Sequence, residues 1–224
     1  MAKLSIITNF GCKFNCPYCI VKQTNAVIPN TTVEGLNRLQ DAVKHFGIDS
    51  ISISGGGDPL YHVKEQYDWW NTLFQETEKL NFPVEIHTHQ LPTIDRIFFK
   101  RKISRVVYHA GSIEDLFRIH RLFPYNNGES IRVVFVVDQS MTEDDIKFIS
   151  KFVEYSGAID ELSFRQLVDK DFNPFYYHDQ LLKKGHEEGK WHYIEQKDYN
   201  YYYVEGKVYS KYSDLVKGIN SIDY

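Results

Sequence analysis

The sequence predicts an α/β protein built on a parallel sheet, because six short strand-like segments alternate with helical segments along the chain. The length of 224 residues is sufficient for one substantial core and short for two full domains. The fifth strand, residues 131–137, is almost wholly apolar, as is usual for a buried parallel strand. Periodicity alone leaves open whether the sheet is flat and doubly wound or curled into a partial barrel.

Each predicted element follows from local composition. Residues 4–8 form a short apolar strand, and Thr31 or Thr32 can cap a helix that reaches His45 and stops at Gly47. The later strands are predicted at residues 50–54, 84–89, 103–109, 131–137 and 161–168. The later helices are predicted at about residues 63–80, 92–101, 112–123 and 142–155, the last capped by Thr142.

Residues 169–224 follow the six alternating units and are predicted to form an extension that packs on the core of residues 1–168 as a cap. A helix is expected near residues 179–188, then strands near 191–196 and 199–204. Glu205-Gly206-Lys207 indicates a hairpin turn. The tyrosine-rich run at residues 199–203 is predicted to pack against the core, with a stacking platform for a nucleobase as the alternative.

All three cysteines of the chain lie within eight residues, at Cys12, Cys16 and Cys19. Three thiolates at these spacings can converge on one soft metal centre and leave one coordination position without a protein ligand, whereas a [4Fe-4S] cluster normally takes four. A structural zinc site with His45 or His62 as fourth ligand is the alternative. The odd cysteine count and the absence of a secretory signal at Met1 predict a reducing, cytoplasmic location without disulfides.

The second strand runs directly into the turn Gly55-Gly56-Gly57-Asp58. Glycines at this place permit positive φ and a close approach of backbone. The pattern C-x3-C-x2-C with an aromatic residue before the last cysteine, followed by this glycine-rich turn, resembles the radical S-adenosylmethionine (SAM) superfamily. Glutamate is commoner in that family at the position of Asp58. Over residues 1–168 the resemblance implies a partial (β/α)6 barrel.

The resemblance also implies a set of cofactor contacts. A [4Fe-4S] cluster would be held by Cys12, Cys16 and Cys19, with SAM on its fourth iron. The SAM contacts that the resemblance implies are Tyr18 against the adenine, Gly55, Gly56, Gly57 and Asp58 at the amino group, and Thr88 and Arg165 as polar contacts. A structural salt bridge is the alternative for Arg165. In this family, an electron from a flavodoxin or ferredoxin-type donor cleaves SAM to a 5′-deoxyadenosyl radical, which abstracts hydrogen from the substrate.

Polar residues at the ends of three predicted strands are candidates for the substrate site. Period-two alternation places Glu85, His87 and His89 on one face of the third strand. His109 and Asp138 end the fourth and fifth strands at the same edge, where the mouth of a barrel usually carries its site. We therefore predict catalytic roles for His87, His89, His109 and Asp138. A second metal at the third strand, and simple loop capping by His109 and Asp138, are the alternatives.

Composition narrows the classes of function. The net charge of −4 gives no general electrostatic attraction to nucleic acid, and no apolar stretch reaches membrane length. The absence of further cysteines excludes the family members that need auxiliary clusters. The favoured function is hydrogen abstraction from a small molecule, such as a nucleoside, or from a peptide. A glycyl-radical-enzyme activase, a 7-deazapurine synthase-like enzyme and a non-catalytic iron–sulfur or zinc protein are the alternatives.

Overall fold

The computed structural model describes residues 2–90, 103–121, 129–195 and 200–224. Within these ranges the strands are β1 (Ala2–Thr8), β2 (Ile48–Gly55), β3 (Val84–Thr88), β4 (Arg105–Ala110), β5 (Ser130–Val137), β6 (Glu161–Gln166), β7 (His192–Ile194), β8 (Asn200–Val204) and β9 (Lys207–Tyr209). The helices are α1 (Ile20–Thr24), α2 (Val33–Leu36), α3 (Leu39–Phe46), α4 (Tyr67–Leu80), α5 (Ile113–Arg121), α6 (Glu143–Ser156), α7 (Asp179–Glu187) and α8 (Tyr212–Lys217). None of these helices is long and apolar enough to span a membrane.

The nine strands form one sheet in the order β7-β6-β5-β4-β3-β2-β1-β8-β9. Every neighbouring pair is parallel except β8 and β9, which form a hairpin. The predicted α/β class with a mainly parallel sheet is therefore confirmed. Because β1 to β8 run in the same direction, the loops that follow them leave the sheet at one edge.

Several predicted bounds differ from the observed ones, for local reasons. The helix expected from Thr32 to His45 is two helices, since the backbone of Arg38 leaves the helical region and its guanidinium donates to the carbonyls of Gly206 and Tyr224. Helix α4 begins at Tyr67 and not near residue 63, because turns that include His62 at a positive φ of 52° precede it. The helix predicted at residues 92–101 lies outside the described residues.

The strands of the C-terminal extension continue the sheet at both edges. Strand β7 pairs with β6, and β8 pairs with β1. Glu205 and Gly206 both have positive φ, which gives the two-residue hairpin turn expected between β8 and β9. Tyr203 is fully buried with its hydroxyl bonded to the Gly35 carbonyl, and Tyr201 lies against Phe46. Packing of these tyrosines is therefore confirmed.

The two faces of the sheet have different chemistry. On one face, alternate apolar residues from β1 to β7 join the apolar residues of α2 to α7 in a single core. The opposite face, called the polar face below, carries the side chains of Lys3, Ser5, Ser52, Glu85, His87, Arg105, His109, Arg132, Glu161, Ser163 and Arg165. A second, smaller apolar cluster, which includes Ile7, Val204 and Leu215, joins α8 to the sheet beside β1.

Candidate functional site

The three cysteines lie in the loop that leaves β1, residues 9–19, called the cysteine loop below. The Asn9 side chain donates to the Ile28 carbonyl at 2.7 Å, and the Phe10 ring lies edge-on to Trp69 with ring centroids 5.1 Å apart. At the far end of the loop, the Cys19 amide donates to the Cys16 carbonyl at 3.1 Å, and helix α1 begins directly after Cys19. The loop is thus held at both ends by contacts that do not involve the thiols.

The thiols are accessible and close enough to influence one another. Cys12 is exposed, and Cys16 and Cys19 are half-buried. Burial raises the pKa of Cys12 and of Cys16, and the neighbouring thiols raise it further. Across the described ranges, no three His, Cys, Asp or Glu side chains are grouped closely enough to hold a metal ion as they stand. A metal bound here would have to draw the thiols together and displace their protons.

The donor set fits an iron–sulfur cluster. Thiolates are the protein ligands of such clusters, and three of them on one short loop leave one iron for another ligand. No fourth cysteine occurs in the chain to fill that position. The zinc alternative needs His45 or His62 as fourth ligand, but the His62 ring instead pairs with Glu65 at 3.1 Å and the His45 ring lies against Phe46.

The turn after β2, residues 55–58, packs directly on the cysteine loop and is called the glycine turn below. The Asp58 amide donates to the Gly11 carbonyl at 2.9 Å, and the Gly56 amide donates to the Thr8 carbonyl at 2.8 Å. A Cβ atom on Gly57 would lie 2.4 Å from the Gly11 carbonyl oxygen, and one on Gly55 would lie 2.5 Å from the oxygen of Thr8. Glycine is needed here because the two backbones approach so closely.

Of the two features that glycine permits in this turn, the structure shows the close approach of backbone and not positive φ. None of Gly55, Gly56 and Gly57 adopts it, whereas Gly11 in the cysteine loop does, at 93°. The absence of a side chain, and not left-handed backbone, therefore accounts for the three glycines. The left-handed residue belongs to the opposing loop, where the Tyr61 ring covers it.

Asp58 connects the glycine turn to the end of β3. Its buried carboxylate accepts hydrogen bonds from the Leu60 amide at 2.9 Å, the Thr88 hydroxyl at 2.9 Å and the His89 amide at 2.8 Å. Two residues expected to contact SAM, Asp58 and Thr88, are therefore bonded to each other. Their observed contacts hold two loops of the sheet edge together.

A cavity of about 460 Å³ lies between the cysteine loop and the carboxyl ends of β4 and β5. Tyr18, His89 and Asp138 line it, together with Phe14 and Cys16. Burial, and next the Cys16 thiol, raise the pKa of Tyr18, so its ring is a neutral wall of the cavity. The His89 ring lies edge-on to Phe14 with centroids 4.4 Å apart. These contacts place the aromatic residues of the cysteine loop beside a space that can hold a small molecule.

Asp138 has a role in its own loop as well as a place in the cavity wall. Its carboxylate accepts hydrogen bonds from the Ser140 amide at 2.8 Å and from the Ser140 hydroxyl at 2.6 Å. This is the loop capping that the sequence left as an alternative. The side chain of Asp138 therefore both caps its loop and lines the cavity.

His87, His109 and Arg165 lie outside this cavity, on the polar face. His87 Nε2 is 2.9 Å from a carboxylate oxygen of Glu85, and His87 Nδ1 is 3.1 Å from Nε2 of His109. Burial lowers the pKa of both histidines; Glu85 partly offsets this for His87, whereas Arg165 adds to it for both. The candidate catalytic residues thus divide into two groups, with His89 and Asp138 in the cavity and the other two histidines on the polar face.

Charged side chains form a continuous ladder across the polar face. Lys3 binds Glu85 at 2.6 Å, and Arg105 reaches both Glu85, at 3.4 Å, and Glu161, at 2.6 Å. Arg132 completes the ladder on Glu161. Burial opposes ionisation of Glu85, but the hydrogen bond from His87 and the charge and hydrogen bond of Lys3 outweigh it and hold its pKa well below the usual range.

Sequence reasoning missed Tyr212, which the last helix brings to the site. Its hydroxyl donates to the Gly55 carbonyl at 3.4 Å. Burial raises its pKa, and the neighbouring Cys19 raises it further. The sequence offers no signal for this contact, because Tyr212 is one of 16 tyrosines and lies far along the chain from both partners.

At the carboxyl edge of β1 to β3 the structure therefore brings together the cysteine loop, the glycine turn and Tyr212. These groups could bind a metal centre beside an open cavity, and the polar face adds a hydrogen-bonded pair of histidines. Comparison with known proteins gives no independent assignment: no family model matches the chain, and no curated protein is significantly similar to it.

Proposed function

We propose that the protein is a radical SAM enzyme that acts on a small molecule. The observation that supports this most directly is the packing of the three-cysteine loop on the glycine turn. The two segments follow neighbouring parallel strands, and the Asp58 amide and Gly11 carbonyl join them at 2.9 Å. A metal centre on the thiols would therefore lie beside backbone groups able to bind a cofactor.

We also infer that the sheet curls into a partial (β/α)6 barrel with the polar face inside. A flat, doubly wound sheet would carry helices over both faces. Here α2 to α7 share one core with a single face of the sheet. On the opposite face the charged side chains are nevertheless shielded, with 7% of the Glu85 side chain and 17% of the Arg132 side chain exposed. If the sheet curves so that the polar face lies on its concave side, the side chains of that face shield one another from solvent.

The residues have distinct roles in this proposal. Bound together, the cluster and SAM would supply reductive cleavage to a 5′-deoxyadenosyl radical, with the electron delivered by a flavodoxin or ferredoxin-type donor. Cys12, Cys16 and Cys19 would hold the cluster. The carbonyls of the glycine turn would bind the ammonium group of SAM, and the Phe14 and Tyr18 rings would exclude water from the adjoining cavity. Asp58 and Thr88 would keep the glycine turn in place.

The cavity favours a small substrate. Its volume of about 460 Å³ is in the range of small-molecule sites, and it adjoins the cysteine loop. A nucleoside-sized molecule suits this volume. A 7-deazapurine synthase-like reaction also requires a site of this size. In a glycyl-radical-enzyme activase the site must admit a loop of another protein. The hydroxyl of Tyr212 already covers the Gly55 carbonyl, and this favours a small molecule over a protein loop.

Anaerobic reconstitution with iron and sulfide tests the proposal. The reconstituted protein is expected to bind about one [4Fe-4S] cluster and to form 5′-deoxyadenosine from SAM when reduced with dithionite. Replacing Cys12, Cys16 or Cys19 with Ala is expected to abolish both, because a site with three thiolates cannot lose another. Iron content and 5′-deoxyadenosine are measured for each variant.

Lys13→Ala is the matched control, since Lys13 lies in the same loop and its ammonium group rests over the Phe14 ring. It should retain the cluster and SAM cleavage. A non-catalytic iron–sulfur or zinc protein would yield no 5′-deoxyadenosine in any variant. Retention of an active cluster after one cysteine substitution would contradict the ligand assignment.

A further inference from the structure

A carboxylate and two histidines stand in line on the polar face. Glu85 contacts Nε2 of His87 at 2.9 Å, and Nδ1 of His87 contacts Nε2 of His109 at 3.1 Å. Lys3 and Arg105 hold the two carboxylate oxygens of Glu85, at 2.6 Å and 3.4 Å. Two cations from other strands therefore hold Glu85, the first residue of the line, in place.

The charge of Glu85 determines which nitrogens carry hydrogen. An ionised carboxylate only accepts hydrogen bonds, so Nε2 of His87 must donate. Nδ1 of neutral His87 is then an acceptor, and Nε2 of His109 must donate to it. The lone pair of neutral His109 is consequently on Nδ1. Within the described part of the chain this atom makes no hydrogen bond.

The surroundings of His109 indicate what could bind there. His109, Val134 and Ser163 are in register on three neighbouring strands, so His109 and Ser163 share the polar face. Ser163 is fully buried, and its hydroxyl has no partner among the described residues. Arg165 follows two residues later on the same face. An acceptor, an unpaired hydroxyl group and a cation are thus grouped around the apolar Val134.

We propose that Glu85, His87 and His109 form a proton relay that presents Nδ1 of His109 as the acceptor for a hydroxyl group of a bound ligand. A hydrogen bond to this lone pair requires a donor such as an O–H or N–H group. The positive charge of Arg165 disfavours an ammonium group and stabilises an oxygen anion, and this selects a hydroxyl group. Glu85 and His87 are positioning residues. The ligand assignment rests on the proposed function, because the ligand would be a substrate of that enzyme that reaches from the cavity beside His89 to the polar face. The relay itself does not rest on the proposed function.

The relay balances as a proton transfer. The hydroxyl proton of the ligand passes to Nδ1 of His109, and the hydrogen on Nε2 of His109 passes to Nδ1 of His87. His109 stays neutral with its hydrogen on Nδ1, His87 becomes an imidazolium ion, and the ligand keeps the electron pair as an oxygen anion. Glu85 remains ionised beside the new imidazolium ion, and the positive charge of Arg165 stabilises the oxygen anion.

Several charged groups face the pair and determine where a proton resides. Glu85 from β3 attracts a positive charge to His87, whereas Lys3 from β1 opposes it. Arg165 from β6 opposes protonation of both histidines, and His89 opposes that of His109. A single proton taken up by the pair is therefore expected on His87.

Two measurements on the purified full-length protein test the relay without any cofactor. Long-range ¹H–¹⁵N spectra are expected to show hydrogen on Nε2 of both histidines at neutral pH, and on acidification His87 should become doubly protonated first. Diethyl pyrocarbonate should modify His109 at least tenfold faster than His87, whose two nitrogens are both bonded. Exposed His45 is the reactive control. Hydrogen on Nδ1 of His109, or faster modification of His87, would overturn the relay.

Two small probes test the ligand class in the same spectra. Ethanol is expected to shift the Nδ1 resonance of His109, and ethylammonium to shift it less. An equal or larger effect of ethylammonium, or no effect of either, would overturn the hydroxyl assignment. These results are independent of SAM cleavage, so a failure of the relay and a failure of the proposed function are distinguishable.

Discussion

Gly56 and Gly57 differ in the atoms that a Cβ atom at each position would contact. A Cβ atom on Gly57 would lie 2.4 Å from a backbone oxygen of the cysteine loop. A Cβ atom on Gly56 would lie 2.9 Å from Cβ of the buried residue Ile28, a longer contact and one with a side chain. Neighbouring glycines that look equivalent in the sequence are therefore expected to tolerate substitution differently.

Gly57→Ala is expected to lower the free energy of unfolding by about 1–3 kcal/mol, as at overpacked sites, and to reduce iron uptake by displacing the cysteine loop. Gly56→Ala should cost less than Gly57→Ala, because a contact of 2.9 Å with Ile28 is relieved by a smaller displacement than a contact of 2.4 Å with backbone. Denaturant unfolding and iron content after reconstitution measure the two effects. A larger loss for Gly56→Ala would contradict the close backbone approach.

The residues of the candidate site were predictable to different extents. Spacing alone identifies Cys12, Cys16 and Cys19 as candidate ligands, because they are close in sequence within one loop. The contacts of Asp58 depend on β2 and β3 being neighbours in the sheet, so its bonds to Thr88 and His89 could not be derived from either segment. A close approach of backbone at Gly55 and Gly57 was predictable, but the segment that approaches, the end of β1 and the cysteine loop, was not.

At the scale of the strands, period-two alternation correctly placed Glu85 and His87 on one face. His89, predicted on the same face, follows the end of β3 at Thr88 and lines the cavity. Strand five was expected to be buried on both faces, yet Arg132 brings a charge to its polar face. From the sequence alone, the single charged residue of an apolar strand does not indicate a charged face, because its partners are not known. Those partners, Glu161 and the rest of the ladder, lie on strands distant in sequence.

The histidine pair predicts how stability depends on pH. The pKa of His87 and that of His109 are lowered in the folded state, so the unfolded chain takes up protons first as the pH falls. The stabilisation is fully present above the unfolded value of about 6.5 and is lost below it, by up to about 1.4 kcal/mol per pH unit for each histidine. Thermal unfolding between pH 7 and 5 should therefore show a falling midpoint.

A variant with both His87→Gln and His109→Gln should have a flatter dependence over that range, whatever its stability at pH 7. His45→Gln is the control, since it replaces an exposed histidine outside the polar face. Glu85 has a lowered pKa as well, but its contribution is lost only below the unfolded value of about 4.3. An unchanged slope in the double variant would show that the pair is not buried in the neutral form.

Across the whole molecule, the end of the chain completes a site that begins near its start. Helix α8 carries Tyr212 to the Gly55 carbonyl and to the neighbourhood of Cys19. Leu215, on the same helix, belongs to the apolar cluster that includes Ile7 of β1. Sequence analysis expected a cap here but could not orient it, because pairing of β8 with β1 determines where α8 begins.

The packing of α8 should consequently control access to Cys19. Leu215→Ala is expected to cost about 2–5 kcal/mol and to loosen α8 locally, so that a thiol reagent labels Cys19 faster in the cofactor-free protein under native conditions. Leu182→Ala is the matched control, because Leu182 is equally buried but lies on α7, which packs beside β7 at the opposite end of the sheet order. It should lower overall stability by a similar amount without changing the native labelling rate. Mass spectrometry of the labelled peptide measures that rate. If both variants accelerate labelling equally, then access to Cys19 follows global unfolding, and α8 is not a cover of the site.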